Sequence, residues 1–364
     1  MTSSARHGTA DVTAIVERNV EDGAFAGAAL AVLRGGEPLV RHYAGCAAPN
    51  LPSGPEVLWP LASITKLFTA AAVMRLVERG ELTVNTPVWS ILPDFSGEGR
   101  EDVRVRHLIT HTTGLPYESP AMGARLAAHA TTDDLIDEAY RTPLMFQPGS
   151  RFQYSDYAYG LAGRVAAVVA GQPFPEVVRT LVLEPMGLAD TFMRPVDGGA
   201  DRIAVVRGVF NDGTDGAMYN SAYGRSLSHP AFSAVSSVDD MVTFLRHFAP
   251  GGPRVFAEST VRAMTSIQTA GAPGQHPLLD GFPADARIPW GFGFALQTED
   301  APAVFSELAS FSTFGHPGAS GCQILVDPVA DLTVVLLTNT HILTGRDTWL
   351  RRQQEIVNAC FALA

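Results

Sequence analysis

At 364 residues the chain is too long for one small core, and two packed lobes are the expectation. A content of 46% hydrophobic and 17% charged residues, with 34 Gly and 25 Pro, describes an ordered, loop-rich globular protein and excludes a disordered one. The net charge of −11, without a basic run of five, argues against a nucleic-acid surface, and no apolar run approaches the length of a membrane span.

The N-terminal stretch Met1–Gly8 has no apolar core of the secretory type, so a cytoplasmic protein without membrane partners is expected. Residues 9–22 carry Val12, Ile15 and Val16 at helical spacing. Two apolar runs, Ala28–Leu33 and Pro38–Tyr43, flank Arg34-Gly35-Gly36-Glu37 and predict a β-hairpin. The Pro- and Gly-rich stretch 48–60 is a loop.

From Ser63 to Arg79 the chain is apolar almost all round, the pattern of a buried helix, with Gly80 as its stop. Lys66 stands in the first turn, and it is the only lysine among 26 basic residues. An arginine can replace lysine in most surface ion pairs, but its guanidinium stays protonated and cannot serve as a base. Ser63 and Lys66, three apart, share a face where the helix dipole disfavours an ammonium and favours an oxyanion. A serine nucleophile with a lysine base requires that placement.

Residues 81–201 carry mostly helical patterns, around 105–111, 131–141, 158–170 and 174–183, and predict an inserted helical lobe. The polar stretch Asn211–Gly216 reads as a surface loop, and 236–249 and 256–268 return to helix. Strand patterns follow at Gly291–Leu296, Cys322–Val326 and Leu332–Leu337, the last two joined tightly through Asp327–Asp331, with a closing helix at 346–362. The expected fold is mixed α/β (α+β). Residues 1–80 and 202–364 form one antiparallel sheet built from both chain ends, residues 81–201 form a mostly helical domain, and the active site lies between them.

Cys46, Cys322 and Cys360 are few, odd in number and outside any C-x-x-C pair, which disfavours a disulfide framework or zinc site. The ten histidines show no H-E-x-x-H spacing, so neither metal nor cofactor is expected. No G-x-S-x-G elbow is present, which disfavours an α/β-hydrolase triad.

Five segments fall in a recognisable order: Ser63-Ile64-Thr65-Lys66, Leu108–Leu115, Pro148–Asp156 with Tyr154-Ser155-Asp156, Glu184–Thr191, and Gly315–Gly321 with His316-Pro317-Gly318. In these the chain, from about residue 10 to 345, resembles serine hydrolases of the β-lactamase and penicillin-binding-protein superfamily. It is most similar there to class C β-lactamase-like esterases and D-amino-acid peptidases. The resemblance implies the β-lactamase/transpeptidase fold and an acyl-enzyme on Ser63. It implies that Lys66 deprotonates Ser63 directly or through Tyr154, and that the backbone N–H groups of Ser63 and Ala319 form the oxyanion hole.

Two departures matter. The family's Y-x-N reads Tyr154-Ser155-Asp156, and a carboxylate cannot donate a hydrogen bond as an asparagine amide does. Asp156 has two positions open to it: facing Lys66, whose protonated form it would favour, or capping the following helix. The family's K-T-G reads His316-Pro317-Gly318, which removes a permanent cation and a hydroxyl that grip a carboxylate. Esters lacking a carboxylate are therefore the expected substrates, with β-lactamase and carboxypeptidase activity weak or absent. Asp156, His316, Gly318, Trp290 and Phe314 are the candidate substrate-binding residues; aromatic residues near strands such as Trp290, Phe292 and Phe314 are core more often than not, and His111 reads as structural rather than catalytic. An acyltransferase, an amidase or D-peptidase, and a non-catalytic binding protein are the alternatives to a carboxylesterase acting on a small ester.

Overall fold

The computed structural model describes residues 8–208, 217–269, 271–275, 286–299, 301, 304–344 and 346–363. The polar loop expected at 211–216 lies outside them. One seven-stranded antiparallel sheet organises the chain. Its strands are β1 (Gly27–Arg34), β2 (Glu37–Ala48), β3 (Leu51–Pro52), β4 (Ala295–Leu296), β5 (Phe314–Gly318), β6 (Cys322–Asp327) and β7 (Leu332–Thr338). Their order is β3-β2-β1-β7-β6-β5-β4, so the strand nearest the N-terminus pairs with the last one, Ala28 opposite Thr338 through Arg34 opposite Leu332.

Every β1 residue from Gly27 to Leu33 is buried because both faces of the sheet are covered. Ala28, Leu30 and Val32 meet Val12 and Val16 of helix α1 (Thr9–Glu21) and Ile356 and Val357 of the final helix. Ala29, Ala31 and Leu33 point the other way, into the core formed with helix α2 (Thr65–Glu78). Full burial of each large α2 side chain, among them Leu67, Phe68, Val73 and Leu76, stabilises the fold by about 1.5–3 kcal/mol. The β6–β7 turn is held by the Asp327 carboxylate, which accepts from the backbone N–H groups of Ser310, Val329 and Ala330.

Local structure departs from the sequence expectations in several places, one being the stretch 48–60, expected as a loop, which supplies the short edge strand β3. Ser63 lies in a single 3₁₀ turn, Ala62–Ile64, that precedes α2 rather than in the helix itself. The strand expected over 291–296 is reduced to Ala295–Leu296, since Gly293 takes a φ of 101° that breaks the extended run. The 174–183 helix changes to a π turn over Arg179–Leu183. Helix α3 (Asp156–Ala170) borders the site, and helix α4 (Val238–Arg246) packs against β1 and β7. Among the described residues no helix is long and apolar enough to cross a membrane.

Candidate active site

The turn that carries Ser63 is shaped from both sides. Ala62 takes the left-handed backbone conformation, φ 47°, which costs a residue with a Cβ roughly 1–2 kcal/mol. Behind the turn runs β5, and a Cβ on Gly318 would lie 2.3 Å from the Leu61 carbonyl oxygen. Only glycine lets the strand approach so closely. Gly318 is therefore a spacer behind the nucleophile rather than a residue of the substrate cleft. Among the described residues, the strand has no partner on the β4 side beyond Gly315, because β4 pairs with Phe314 and Gly315.

Lys66 is fully buried in the first turn of α2. Its Nζ donates to Ser63 Oγ at 3.1 Å and to the Ala231 carbonyl at 3.0 Å, and lies 2.7 Å from Asp156 Oδ1. The question left open at Asp156 is thereby answered by geometry. Ser155 caps α3, its Oγ accepting from the Ala158 N–H at 3.2 Å, and Asp156 is left to face the lysine. Burial pushes the Lys66 amine below its ordinary value of 10.5, while the Asp156 carboxylate opposes the shift. Burial likewise pushes the Asp156 carboxyl upward, against the pull of Lys66. Desolvation is the larger effect on both, so each is driven toward its neutral form across one short contact.

Tyr154 completes the cluster. Its ring centroid is 4.7 Å from Lys66 Nζ, and its phenol is close enough to the Ser63 side chain to be influenced by it. Burial first, and then the Asp156 charge, hold the phenol well above 10. The ring is set by its neighbours: His111 stacks on it at 4.1 Å, and Trp290 meets it edge-on at 5.8 Å. His111 Nδ1 accepts the Ser155 N–H at 3.0 Å, which ties the stack to the start of α3. His111 is thus structural.

A cleft of about 870 Å³ opens over Ser63, Asp156 and Ala319. Besides Gly318, three of the residues expected to contact substrate lie outside it. Trp290, 1% exposed, backs Tyr154 and His111, and Phe314 packs edge-on against Phe294 in the core. His316 is fully buried beside Trp290, with Nδ1 2.6 Å from the Pro317 carbonyl. A carbonyl only accepts, so Nδ1 carries the hydrogen and Nε2 is an acceptor. Burial, with Lys66 nearby, pushes His316 down to about 3, so it is neutral and cannot replace the cation of K-T-G. Its expected role as a donor to substrate does not fit this position.

Sequence reasoning missed the Ala231 carbonyl and the cleft wall formed by Tyr117 and Glu118. No side chain signals the first. The second directly follows the Leu108–Leu115 segment, and extending that segment by three residues would have found it. The wall is pinned to α3, since Asp156 N–H donates to the Tyr117 carbonyl at 2.7 Å and Ser155 Oγ to that of Pro116 at 2.7 Å.

The likeness to known proteins extends beyond these residues. The family model described as Beta-lactamase matches residues 12–357. Esterase EstB of Burkholderia gladioli is 32% identical over 361 residues, covering 91% of this chain and 90% of the relative. Among solved structures, EstCE1, described as a hydrolase with promiscuous acyltransferase activity, superposes with a TM-score of 0.76 at 22% identity, covering 95% of this chain and 97% of the other. A penicillin-binding-protein homologue from Caulobacter crescentus gives 0.72 at 23% identity, covering 100% and 99%. These two share the fold. With a model match over nearly its whole length and a relative above 30% identity, the chain belongs to the β-lactamase family.

Proposed function

We propose that the protein is a serine carboxylesterase that acts through an acyl-enzyme on small esters lacking a carboxylate. The observation that carries this reading is the buried Lys66 amine, 3.1 Å from Ser63 Oγ at the floor of the cleft. Ser63 attacks the ester carbonyl while Lys66, its basicity lowered by burial, takes the hydroxyl proton. The phenol of Tyr154 is held too high to act as a phenolate, so it passes a proton between Ser63 and the leaving alkoxide as a neutral relay. The N–H groups of Ser63 and Ala319 are assigned to the oxyanion, both residues lining the cleft. Departure of the alcohol leaves the acyl group on Ser63, and water hydrolyses it by the same route in reverse.

The preference for esters over β-lactams follows from what surrounds Ser63. Asp156 offers an acceptor where the family's asparagine offers an amide donor, and among the described residues no arginine lines the cleft. A substrate carboxylate would meet negative charge there. The layout of the chain supports the same reading: residues 81–201 supply the wall with Tyr117, Glu118 and Asp156, and the remainder supplies Ser63 and Ala319. We take these as two lobes with the cleft between them.

The test combines a fluorophosphonate probe, read by intact mass, with turnover of short p-nitrophenyl esters, the matching amides and a cephalosporin. One adduct on the wild type, none on Ser63→Ala, and turnover of esters well above the other two is the expected result. An equal adduct on Ser63→Ala removes the nucleophile. Cephalosporin turnover that rivals the esters removes the substrate class, and transfer to an added alcohol in preference to water would make the protein an acyltransferase.

A further inference from the structure

The cleft over Ser63 is polarised in a way that ester hydrolysis alone does not require. Its described lining residues include two acidic ones, Asp156 and Glu118, and neither lysine nor arginine. Asp156 is committed to Lys66 at 2.7 Å. Glu118 stands half-buried on the wall that the start of α3 pins in place. The lining also carries the aromatic Tyr117 and Tyr219 and the apolar Met122, Phe232 and Ile342, with Ser119, Thr142 and His341 among its polar members. A carboxylate among aromatic faces and thioether or alkyl side chains suits a weakly hydrated cation. Ring faces attract such a cation, and the apolar wall costs an alkylated ammonium far less desolvation than a bare one.

We infer that the cleft selects esters bearing an alkylated ammonium group, which Glu118 and the faces of Tyr117 and Tyr219 hold. The inference rests on the esterase reading and names its substrate class. Glu118 lies near enough for its charge to act on Lys66, where, after Asp156, it opposes the larger downward push of burial. A cation docked beside Glu118 would offset that charge and favour the neutral amine that acylation needs. Selection and activation would then come from one contact.

The experiment compares two matched pairs of esters. One pair is acetylcholine and its carbon isostere, in which tert-butyl replaces trimethylammonium; the other is a pair of p-nitrophenyl esters whose acyl chains end in the same two groups. In at least one pair the ammonium ester should exceed its isostere in kcat/KM by about tenfold in the wild type. The ratio should fall to about one in Glu118→Gln and persist in Glu355→Gln, an equal charge change on the final helix. A ratio of one or below in both pairs, or one that survives Glu118→Gln, overturns the inference while leaving the esterase reading intact. Failure to hydrolyse even p-nitrophenyl acetate would instead sink the esterase reading. A binding measurement then decides for the cation. Tetramethylammonium should slow fluorophosphonate labelling of Ser63 in the wild type and not in Glu118→Gln, and equal rates in the two proteins overturn the inference.

Discussion

Two aspartates stand near the start of buried helices, and they do different work. Asp240, in the first turn of α4, accepts from the Asp190 N–H and the Thr191 hydroxyl, both at 2.8 Å. Asp156, the first residue of α3, meets the Lys66 amine instead. Each helix has a serine cap, Ser237 and Ser155, and burial raises both carboxyls. What separates them is the partner. Neutral donors from a turn and a hydroxyl fix a loop against a helix. A titratable amine makes the carboxylate a control on another group's proton. A buried aspartate at a helix start therefore says little until its partner is known.

The comparison can be broken by mutation. Lys66→Arg keeps the ion pair with Asp156 but cannot release a proton, and ester turnover should fall by about 10³-fold or more. Full activity in that variant, measured on a short p-nitrophenyl ester, would end the case for lysine as the base. Tyr154→Phe removes the relay while keeping the stack on His111, with an expected loss of about 10²-fold in kcat and a smaller change in KM. Asp240→Ala should cost about 2 kcal/mol in denaturant unfolding, since it strands a buried N–H. Its ester turnover should remain near that of the wild type, and an activity loss as large as that of Tyr154→Phe would erase the distinction between the two aspartates.

The smallest effect is the most diagnostic. Asp156 raises the Lys66 pKa, so Asp156→Asn should lower it. Acylation needs the neutral amine, and a lower pKa keeps the amine neutral in more acidic solution. The acid limb of kcat/KM should accordingly move to lower pH, by about one unit. A limb that stays in place, or moves upward, would show that Asp156 does not govern the base.

Much of this was legible in the residues. The apolar helix with a lone lysine, the hairpin at its N-terminal side and the β6–β7 pair each follow from periodicity and turn chemistry. Ser63, Lys66 and Tyr154 come together as their segments imply, Lys66 bonded to Ser63 and the Tyr154 ring beside Lys66. The contact between Lys66 and Asp156 was not legible, because nothing local decides whether an aspartate beside a serine caps the helix or turns inward. Trp290 and Phe314 went astray for another reason. Both faces of the sheet are covered, so its residues read as apolar whether they border a cleft or a core. His316 could be seen to lack a permanent charge, but its burial under Trp290 depends on tertiary packing.

The pairing of β1 with β7 also governs when this protein can exist as an enzyme at all. Ala28 and Thr338 are neighbours in space, yet 310 residues of chain separate them. A ribosome that has already released Ser63, Lys66 and Tyr154 has not yet made the strands that close the sheet. Gly318 must arrive before the turn at Ala62 has anything to press against. A nascent chain thus carries a nucleophile long before it carries an active site, and vectorial synthesis delays the onset of hydrolysis until the last strands emerge.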